Sequence, residues 1–410
     1  MDGFYKVGVN KDNGYRLSFE RGMMRRIQWH YVVLVLGVCL SIHLLGNLVV
    51  NNFHQRLNNM DMHKRSLGPK TPLIQNKNSV VSNQEILNSA NYKSNSTKNI
   101  GILFYNKPSW MSFESTVIDS TRCPNLKQKC TIYTNNKNYE RSKGVIFCGE
   151  KLPSKVPEKK KGQVWTFFSI ESPFLFSVRP EWKDKFSWTM TYRRDSDFTY
   201  FYGKIQKREI PLSRNYPEVF KRKNKTVSWA VSNCNSFSKR EEYVKKLQKY
   251  ISVDEYGKCG KLKCGQRSAG VTDCHKKFAE EYKFYLAVEN SICKDYTTEK
   301  LFNFFFYDLP MIPIINGPKN AREYIPNGTY INMLDYASPE ELAKDLERIG
   351  SNETLYSEYL KEKDKYTGSR FRWEVALCPM CSRLQENSLT SSKIIPDISS
   401  WIWNDTCIRP

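Results

Sequence analysis

Short apolar runs alternate with helical patterns along the chain from about Ile100 onward. The runs are rich in β-branched and aromatic side chains, which is typical of strands. The pattern predicts strands at GILFYN (101–106), GVIFC (144–148), VWTFFSI (164–170), FSWTMTY (186–192), TVSWAVS (226–232), FYLAVEN (284–290) and MIPIING (311–317).

Apolar residues at helical spacing lie between these runs and predict helices near 243–251 and 297–307. A further helix is predicted at SPEELAKDLERI, where Ser338 is the N-cap, Pro339 takes the first helical position and Glu341 closes a capping box. Alternation of this kind indicates an α/β fold in which crossover helices join parallel strands.

A basic stretch from Lys204 to about Lys225 interrupts the alternation, and we predict that it is an irregular connection between two halves of the chain. Two such halves would face each other across a cleft. Parallel sheets bind ligands at the carboxyl ends of their strands. Glu289 and Asn290 lie at that end of the run FYLAV, so this edge is the candidate site.

The segment YTTEK (296–300) stands where the next helix begins. Backbone N–H groups at a helix N-terminus favour a phosphate, and Lys300 could add a countercharge. Glu299 could accept hydrogen bonds from ribose hydroxyls. The alternative is structural: Thr297 caps the helix, Glu299 offsets its dipole and Lys300 is only solvated.

The N-terminal region has no Lys, Arg, Asp or Glu between Arg26 and Arg56. Within that gap, YVVLVLGVCLSIHLLGNLVV (31–50) is long enough as a helix to span about 30 Å of hydrocarbon. A cleaved signal peptide fits less well, because its basic region would be unusually long and no small-residue cleavage site follows. Arginines crowd the N-terminal flank, so the positive-inside rule predicts a type II anchor. The predicted segments are a cytosolic tail at 1–28, a transmembrane signal anchor at 29–50 and a flexible stem at 51–98.

Charge and cysteine content narrow the partners and the compartment. Lys and Arg outnumber Asp and Glu by 64 to 42, which implies attraction to anionic partners. The densest basic run, KVPEKKKG (155–162), has no aromatic residue and describes an exposed loop, so we predict no nucleic-acid partner. Twelve cysteines accompany five N-glycosylation sequons, which together fit a lumenal or extracellular chain with disulfides. The sequon residues are Asn95, Asn224, Asn327, Asn352 and Asn404.

Two details of the cysteines matter. Eleven of them follow Cys39, so at least one thiol is free or bonds another chain. The motif CPMC (378–381) could suggest zinc, but no second ligand pair completes such a site, and disulfides are favoured instead.

The segment FYLAVENSICKDYTTEKLF (284–302) resembles the donor-binding motif of the α1,3-fucosyltransferases, glycosyltransferase family 10, which transfer L-fucose from GDP-fucose. Three further stretches resemble the same family in the same order. They are FSIESP (168–173), WTMTYRRDSDFTYFYG (188–203) and VSNCNSFSKREEYVKKLQKYISVDEYGKCG (231–260). The likeness covers about residues 100–381.

The resemblance implies an α/β fold of the GT-B type, with two Rossmann-like domains facing a cleft and preceded by the transmembrane helix and stem. It also implies a Golgi membrane enzyme whose catalytic domain is lumenal. The implied segments are an acceptor-side domain at 99–222, a GDP-fucose-binding domain at 223–370 and a C-terminal tail with CxxC at 371–410.

The resemblance also assigns roles to residues. Glu171 is implied as the catalytic base, against the alternative that it only ends a strand. The implied donor-binding residues are Arg240, Asn290, Tyr296, Glu299 and Lys300, with Lys239 as an alternative to Arg240. The residues expected in the cleft wall are Tyr192, Arg193, Arg194 and Glu289. Cys378 and Cys381 are implied to bond back towards Cys123 and Cys130.

DSD (195–197) resembles the Asp-x-Asp that other glycosyltransferases use to hold Mn²⁺. In this family it belongs to a longer structural stretch, so we predict no metal site and no obligatory cofactor. A divalent cation such as Mn²⁺ would be a stimulant only.

The predicted function is inverting transfer of L-fucose in an α1,3 linkage to a GlcNAc-containing glycan. The expected partners are GDP-fucose, a glycan on a glycoprotein or glycolipid, and the membrane, while a homodimer stays open. The alternatives are a catalytically silent membrane-anchored protein that binds glycan or nucleotide sugar, and a GT-B transferase for another nucleotide sugar. The acceptor also stays open between the N-glycan core, LacNAc and LacdiNAc.

Overall fold

The computed structural model of the chain describes residues 99–264, 273–370, 372–386, 393–404 and 406–408. All of them belong to one unit, Ser94–Pro410. The predicted cytosolic tail, signal anchor and stem, and with them Cys39 and Asn95, lie outside the described residues. Among the helices that the structure describes, none has the length and apolar character needed to cross a membrane.

A seven-stranded sheet is built from the first hundred or so described residues, in the order β2-β3-β1-β4-β5-β6-β7. Only the β2–β3 pair is antiparallel. Its strands are β1 (Ile100–Phe104), β2 (Thr116–Ile118), β3 (Cys130–Tyr133), β4 (Gly144–Cys148), β5 (Val164–Ser169), β6 (Trp188–Thr191) and β7 (Phe198–Thr199).

The remaining strands include a second sheet of five parallel strands in the order β10-β9-β11-β13-β14. Two antiparallel pairs, β8–β15 and β12–β16, complete the set. The strands are β8 (Gly203–Lys207), β9 (Lys225–Ala230), β10 (Val253–Tyr256), β11 (Tyr282–Leu286), β12 (Ile292–Cys293), β13 (Ile312–Ile315), β14 (Ile331–Asn332), β15 (Tyr366–Arg370) and β16 (Cys407–Ile408).

The α-helices of the described residues all follow the first sheet in sequence. They are α1 (Tyr216–Arg222), α2 (Arg240–Leu247), α3 (Asp273–Glu281), α4 (Glu299–Phe306), α5 (Pro339–Ser351), α6 (Glu353–Lys363), α7 (Trp373–Ala376), α8 (Cys378–Leu384) and α9 (Ile398–Trp403). Short 3-10 turns connect the strands of the first sheet, for example Gly149–Lys151 after β4 and Pro173–Leu175 after β5.

The second sheet is covered by helices on both faces, as a parallel sheet requires. Apolar residues of α2, α5 and α6 pack with Val227, Phe284 and Ile312 on one face. Residues of α3 and α4 pack with Tyr285 and Ile315 on the other. This half therefore has the predicted arrangement of strands and crossover helices.

The C-terminal tail packs on both faces of the first sheet. The resemblance implied that disulfides join the tail to this half, but not that helices of the tail cover the sheet. Residues of α7 and α8 pack on the face that carries Ile102 and Ile146. Residues of α9 pack on the opposite face, with Leu103, Val145 and an aromatic group that includes Trp182. The tail approaches so closely that a Cβ at Gly144 would meet Leu384 and Met380 at 2.8 Å.

The α/β class predicted from the sequence is confirmed, but two local predictions are wrong. The stretch from Lys204 to Lys225 is not irregular, because it contains β8 and α1. Strand β8 pairs with β15, which lies far away in sequence, so the pairing could not be predicted from neighbouring residues. The capping box is also incomplete. The Ser338 hydroxyl accepts a hydrogen bond from the Glu341 N–H at 3.2 Å, but the Glu341 carboxylate accepts from the N–H of Ala337 rather than of Ser338.

Five disulfides are formed within the described residues: Cys123–Cys378, Cys130–Cys381, Cys234–Cys259, Cys264–Cys274 and Cys293–Cys407. Among the described cysteines, the buried Cys148 is the one left as a thiol. The first two bonds join α8 to the first sheet and the segment beside it, and the last joins β16 to β12. The tail is therefore linked covalently to both halves.

The disulfides Cys123–Cys378 and Cys130–Cys381 close almost the same loop, with sequence separations of 255 and 251. Removing one bond by a double Cys→Ser change frees only a short loop, so we expect the free energy of unfolding to fall by roughly 2–3 kcal/mol. Removing both should lower it by more than the sum of the two losses, since the long loop is then released. Urea unfolding of the variants measures this, and strictly additive losses would contradict it. The short Cys264–Cys274 bond, removed together with either one, is the additive control.

Candidate functional site

The strand order of the second sheet changes direction between β9 and β11, and the site lies at their carboxyl ends. Arg240, the first residue of α2, is 5 % exposed and reaches both ends. Its Nη1 donates to the Val288 carbonyl at 2.5 Å and its Nη2 to the Asn233 carbonyl at 3.4 Å. Lys239 instead pairs with Glu242 at 3.2 Å on the exposed side of the helix. Arg240 is thus the cation directed at the strand ends.

Two buried polar atoms at this edge have no hydrogen-bond partner in the described structure. They are Arg240 Nε and Asn290 Oδ1. Buried polar groups are nearly always paired, so such atoms suit a ligand that offers both acceptors and donors. The backbone of Asn290 is fixed, because its carbonyl accepts the Ser238 N–H at 2.9 Å. A nucleoside diphosphate has both kinds of group.

Glu289 is not a wall residue facing solvent but the internal partner of the next helix. It is 3 % exposed, and its Oε1 accepts the N–H of Thr298, the N-cap of α4, at 2.8 Å. Its Oε2 lies 2.9 Å from Lys300 Nζ. The predicted alternative, in which Thr297 caps the helix, is wrong, since the Thr297 hydroxyl bonds to Tyr324 at 2.9 Å.

Lys300 lies between two carboxylates. Its Nζ is 2.9 Å from Glu289 and 3.5 Å from Glu299, and it donates to the Thr298 hydroxyl at 2.8 Å. Burial lowers the pKa of Lys300, but the charges of Glu289 and Glu299 outweigh it, so that the pKa is raised. The ammonium is therefore charged at neutral pH. Glu299 is 41 % exposed and keeps solvent access.

The loop before α4 places Tyr296 against the first sheet. Asp295 adopts positive φ (62°), which Asp tolerates, and its carboxylate accepts the Arg194 N–H at 3.0 Å. The Tyr296 ring is 2 % exposed and packs edge-on against Tyr192 at 4.9 Å. Its hydroxyl donates to Oε2 of Glu171 at 3.1 Å. One hydrogen bond thus joins the donor-motif loop to the acid that follows β5.

Glu171 is half-buried, two residues beyond the end of β5. Burial raises the pKa of its carboxyl, and the charge of Glu150 raises it further. The hydrogen bond from Tyr296 and the charge of Lys300 lower the pKa, but the net shift is upward. A carboxylate of raised pKa is a stronger base than an ordinary glutamate.

The remaining residues expected in the cleft wall separate into two groups. Arg193 is 6 % exposed. Its Nε and Nη2 donate to the two oxygens of the Asp195 carboxylate at 2.8 and 2.6 Å, and its guanidinium stacks 4.0 Å over the Trp401 ring. It therefore joins β6 to the tail. Tyr192 and Arg194 line a cavity of about 230 Å³ together with Asp295 and Thr297, among others.

The comparisons with known proteins agree on one family. The model "Glycosyltransferase family 10 (fucosyltransferase) C-term" matches residues 220–401, and "Fucosyltransferase, N-terminal" matches residues 97–203. The chain belongs to the family 10 fucosyltransferases.

Several relatives of this fucosyltransferase are known. One is alpha-(1,3)-fucosyltransferase fut-5 of Caenorhabditis elegans, 32 % identical over 69 % of this chain and 77 % of the relative. Another is glycoprotein 3-alpha-L-fucosyltransferase A of Drosophila melanogaster, 33 % identical over 67 % of this chain and 56 % of the relative. A solved α1,3-fucosyltransferase with GDP-fucose is 15 % identical, covers 71 % of this chain and 91 % of its own length, and superposes with a TM-score of 0.47.

The DSD segment of this fucosyltransferase makes structural contacts. Asp195 binds Arg193, and Asp197 accepts from the Thr189 N–H at 3.0 Å and pairs with Arg383 at 2.9 Å. Within the residues that the structure describes, no group of three His, Cys, Asp or Glu side chains is arranged as a metal site. Both carboxylates thus bind groups of the protein itself.

Sequence reasoning missed several residues that support the site. Tyr202 donates to the Ile170 carbonyl at 2.9 Å, and the Asn316 amide binds the backbone of Glu289 on both sides, at 2.6 and 2.9 Å. Glu150 contacts Ser169 at the end of β5. Glu150 stands just beyond the predicted strand 144–148 and Asn316 lies within the predicted strand 311–317, but such a position does not reveal which backbone group a side chain will meet.

The structure describes four of the sequon residues, and all four are exposed: Asn224, Asn327, Asn352 and Asn404. Asn352 is in addition the N-cap of α6, where its Oδ1 accepts the Leu355 N–H at 3.1 Å. Glycan attachment uses the amide nitrogen and would leave this cap intact.

Proposed function

We propose that this chain is an inverting α1,3-fucosyltransferase, which moves L-fucose from GDP-fucose to a GlcNAc-containing glycan of a glycoprotein or glycolipid. The observation that carries the proposal is the hydrogen bond between Glu171 and Tyr296, in a chain of the fucosyltransferase family. It brings the Glu171 carboxylate to the loop that precedes α4, within the donor motif. GDP-fucose and an acceptor hydroxyl must meet beside such a base.

The proposed step uses the residues on both sides of this contact. Glu171 takes the proton of the acceptor hydroxyl while the oxygen forms its bond to C1 of fucose. The bond from C1 to the phosphate oxygen breaks, and GDP leaves with the electron pair from the opposite face. Arg240 and Lys300, both cationic and held in place before reaction, oppose the growing charge. Asn290 and Glu299 contact the nucleoside, and Tyr296 holds the base.

The proposed architecture is GT-B, with an acceptor-side domain at 99–222, a GDP-fucose-binding domain at 223–370 and a tail at 371–410. The switch point between β9 and β11, with its unpaired Arg240 and Asn290 atoms, supports the nucleotide on the second domain. We place the enzyme in the Golgi membrane as a single-pass type II protein with its catalytic domain in the lumen. The disulfides and exposed sequons support the lumen.

The test is turnover with a panel of donors and acceptors. We expect release of the nucleoside diphosphate, GDP or UDP, to be faster with GDP-fucose than with GDP-mannose or UDP-galactose by roughly 10³-fold or more, because a site that binds hydroxyls rejects analogues that leave its polar groups unpaired. Equal rates with another donor would support a different nucleotide-sugar transferase. Binding of GDP-fucose without turnover on any acceptor would support a silent binding protein. N-glycan core, LacNAc and LacdiNAc acceptors belong in the panel.

A further inference from the structure

A second acid lies beside the proposed base, and its position follows from the sheet. Glu150 is in the 3-10 turn Gly149–Lys151, directly after β4, and β4 is the parallel neighbour of β5. The carboxyl ends of neighbouring parallel strands lie side by side. Gly149 allows the turn to lie close, since a Cβ there would meet the Phe167 ring at 2.5 Å. The two acids therefore follow adjacent strand ends.

The turn that carries Glu150 is tied to the sheet by several hydrogen bonds. The Asn106 side chain accepts the Cys148 N–H at 2.8 Å and donates to the carbonyls of Cys148 and Lys151 at 2.9 and 2.6 Å. The Cys148 thiol donates to Oε2 of Glu150. The thiol holds one oxygen of the Glu150 carboxylate, and the other oxygen is directed at Ser169 in β5.

Ser169 connects Glu150 to Glu171. Its hydroxyl, fully buried, donates to Oε1 of Glu150 at 2.6 Å and accepts the backbone N–H of Glu171 at 3.2 Å. A hydroxyl has one hydrogen, and Oε1 of Glu150 at 2.6 Å is a closer acceptor for it than the Glu171 carbonyl oxygen at 3.1 Å, which leaves a lone pair for the Glu171 N–H. The chain Glu150–Ser169–Glu171 thereby fixes the backbone of the base.

We propose that Glu150 is a positioning residue for the catalytic base, holding Glu171 through the Ser169 hydroxyl and presenting a negative charge beside it. The inference rests on the proposed function, because it requires Glu171 to accept the proton of the acceptor.

The charge of Glu150 favours the protonated form of Glu171 and so assists the proton transfer itself. Burial is the main influence that raises the pKa of Glu171, and the charges of Glu150 and Glu299 add to it. Lys300 and the Tyr296 hydroxyl act in the opposite direction. The pKa of Glu171 is thus lowered by the cation Lys300, which favours the ionised form before reaction, and raised by the anion Glu150, which makes the carboxylate a stronger base.

Glu150→Gln tests the charge, because the amide oxygen can still accept from Ser169. With the charge gone the pKa of Glu171 falls, so the acidic limb of the pH profile of kcat moves to lower pH. The weaker base lowers the plateau kcat by several-fold. KM for GDP-fucose stays unchanged, since no donor contact is altered. Glu150→Asp, which keeps the charge, should restore the position of the limb. Glu181→Gln removes an equal charge from an exposed site and should leave the profile in place.

Ser169→Ala tests the positioning. We expect kcat to fall by about tenfold or more with little change in KM for GDP-fucose, because a misplaced base affects only the chemical step. An unmoved limb in Glu150→Gln, or a kcat of Ser169→Ala within twofold of the parent, would overturn the proposal. If Glu150→Gln does not fold, as judged by circular dichroism, Ser169→Ala alone decides.

The two possible failures have different signatures. If Glu150 has no positioning role, Glu171→Gln remains inactive while the Glu150 and Ser169 variants behave as the parent. If Glu171 is not the base, Glu171→Gln keeps its rate and its acidic limb, and the catalytic role proposed for Glu171 fails instead.

Discussion

Glu171→Gln is expected to lower kcat for fucosyl transfer by roughly 10²- to 10⁴-fold, the usual contribution of a general base. The amide has nearly the same shape and can still accept the hydrogen bond from Tyr296, but it cannot take a proton. Binding of GDP should not change, because Arg240 and Lys300 are untouched. Single-turnover kinetics with GDP-fucose and calorimetry with GDP give the two quantities.

The matched control for Glu171 is Glu158→Gln, which neutralises an exposed acid of the same sheet region and should retain the parental rate. The parent enzyme should also lose activity as the pH falls through the raised pKa of Glu171, because the base works only when ionised. A variant Glu171→Gln with more than a tenth of the parental kcat would remove this residue from the mechanism.

Lys300→Ala is expected to weaken binding of GDP by roughly 10- to 100-fold, since a charge-assisted contact to phosphate contributes about 1.5–3 kcal/mol. It should also lower the free energy of unfolding by roughly 2–4 kcal/mol, because the buried Glu289 carboxylate loses its cation. This figure is below that of a fully buried pair since the Lys300 side chain is 31 % exposed. Calorimetry and urea unfolding measure the two effects.

The two consequences of Lys300→Ala can be separated by a double variant. Lys300→Met with Glu289→Gln removes both charges, and the new amide oxygen at position 289 can still accept the N–H of Thr298. We expect most of the stability to return while the affinity for GDP stays low. Lys300→Arg, which keeps the charge, is the second control. Parental affinity for GDP in the double variant would show that Lys300 stabilises the fold and has no part in donor binding.

The sequence was most informative where a strand is apolar on both faces. The prediction GVIFC coincides with β4, because nothing in that run competes with the sheet. The run FYLAVEN was predicted to extend to Asn290, but β11 ends at Leu286. Beyond it the Asn316 side chain takes the place of a neighbouring strand and binds the backbone of Glu289. In the sequence, an extended segment whose backbone binds a side chain cannot be distinguished from one that pairs with another strand.

Other features could not be predicted because apolar periodicity does not say which sheet a helix will cover. The helices of the first sheet were expected between its strands, and they come instead from the tail. The same limit applies to the site. Its residue types were found in the donor motif, but the motif did not show that the Glu289 carboxylate turns inward to the Thr298 N–H. Nor could it show that Arg193 stacks on the Trp401 ring, which lies in the distant tail. The family resemblance had placed both in the cleft wall.

The position of the tail sets the order in which the enzyme can fold. Helices α8 and α9 complete the packing on the two faces of the first sheet, so these faces cannot be fully covered until the tail has been synthesised. Until then, part of the apolar surface on both faces is exposed. Loss of the tail alone, through a late stop codon, would leave both faces of this sheet partly uncovered although every proposed catalytic residue had been made.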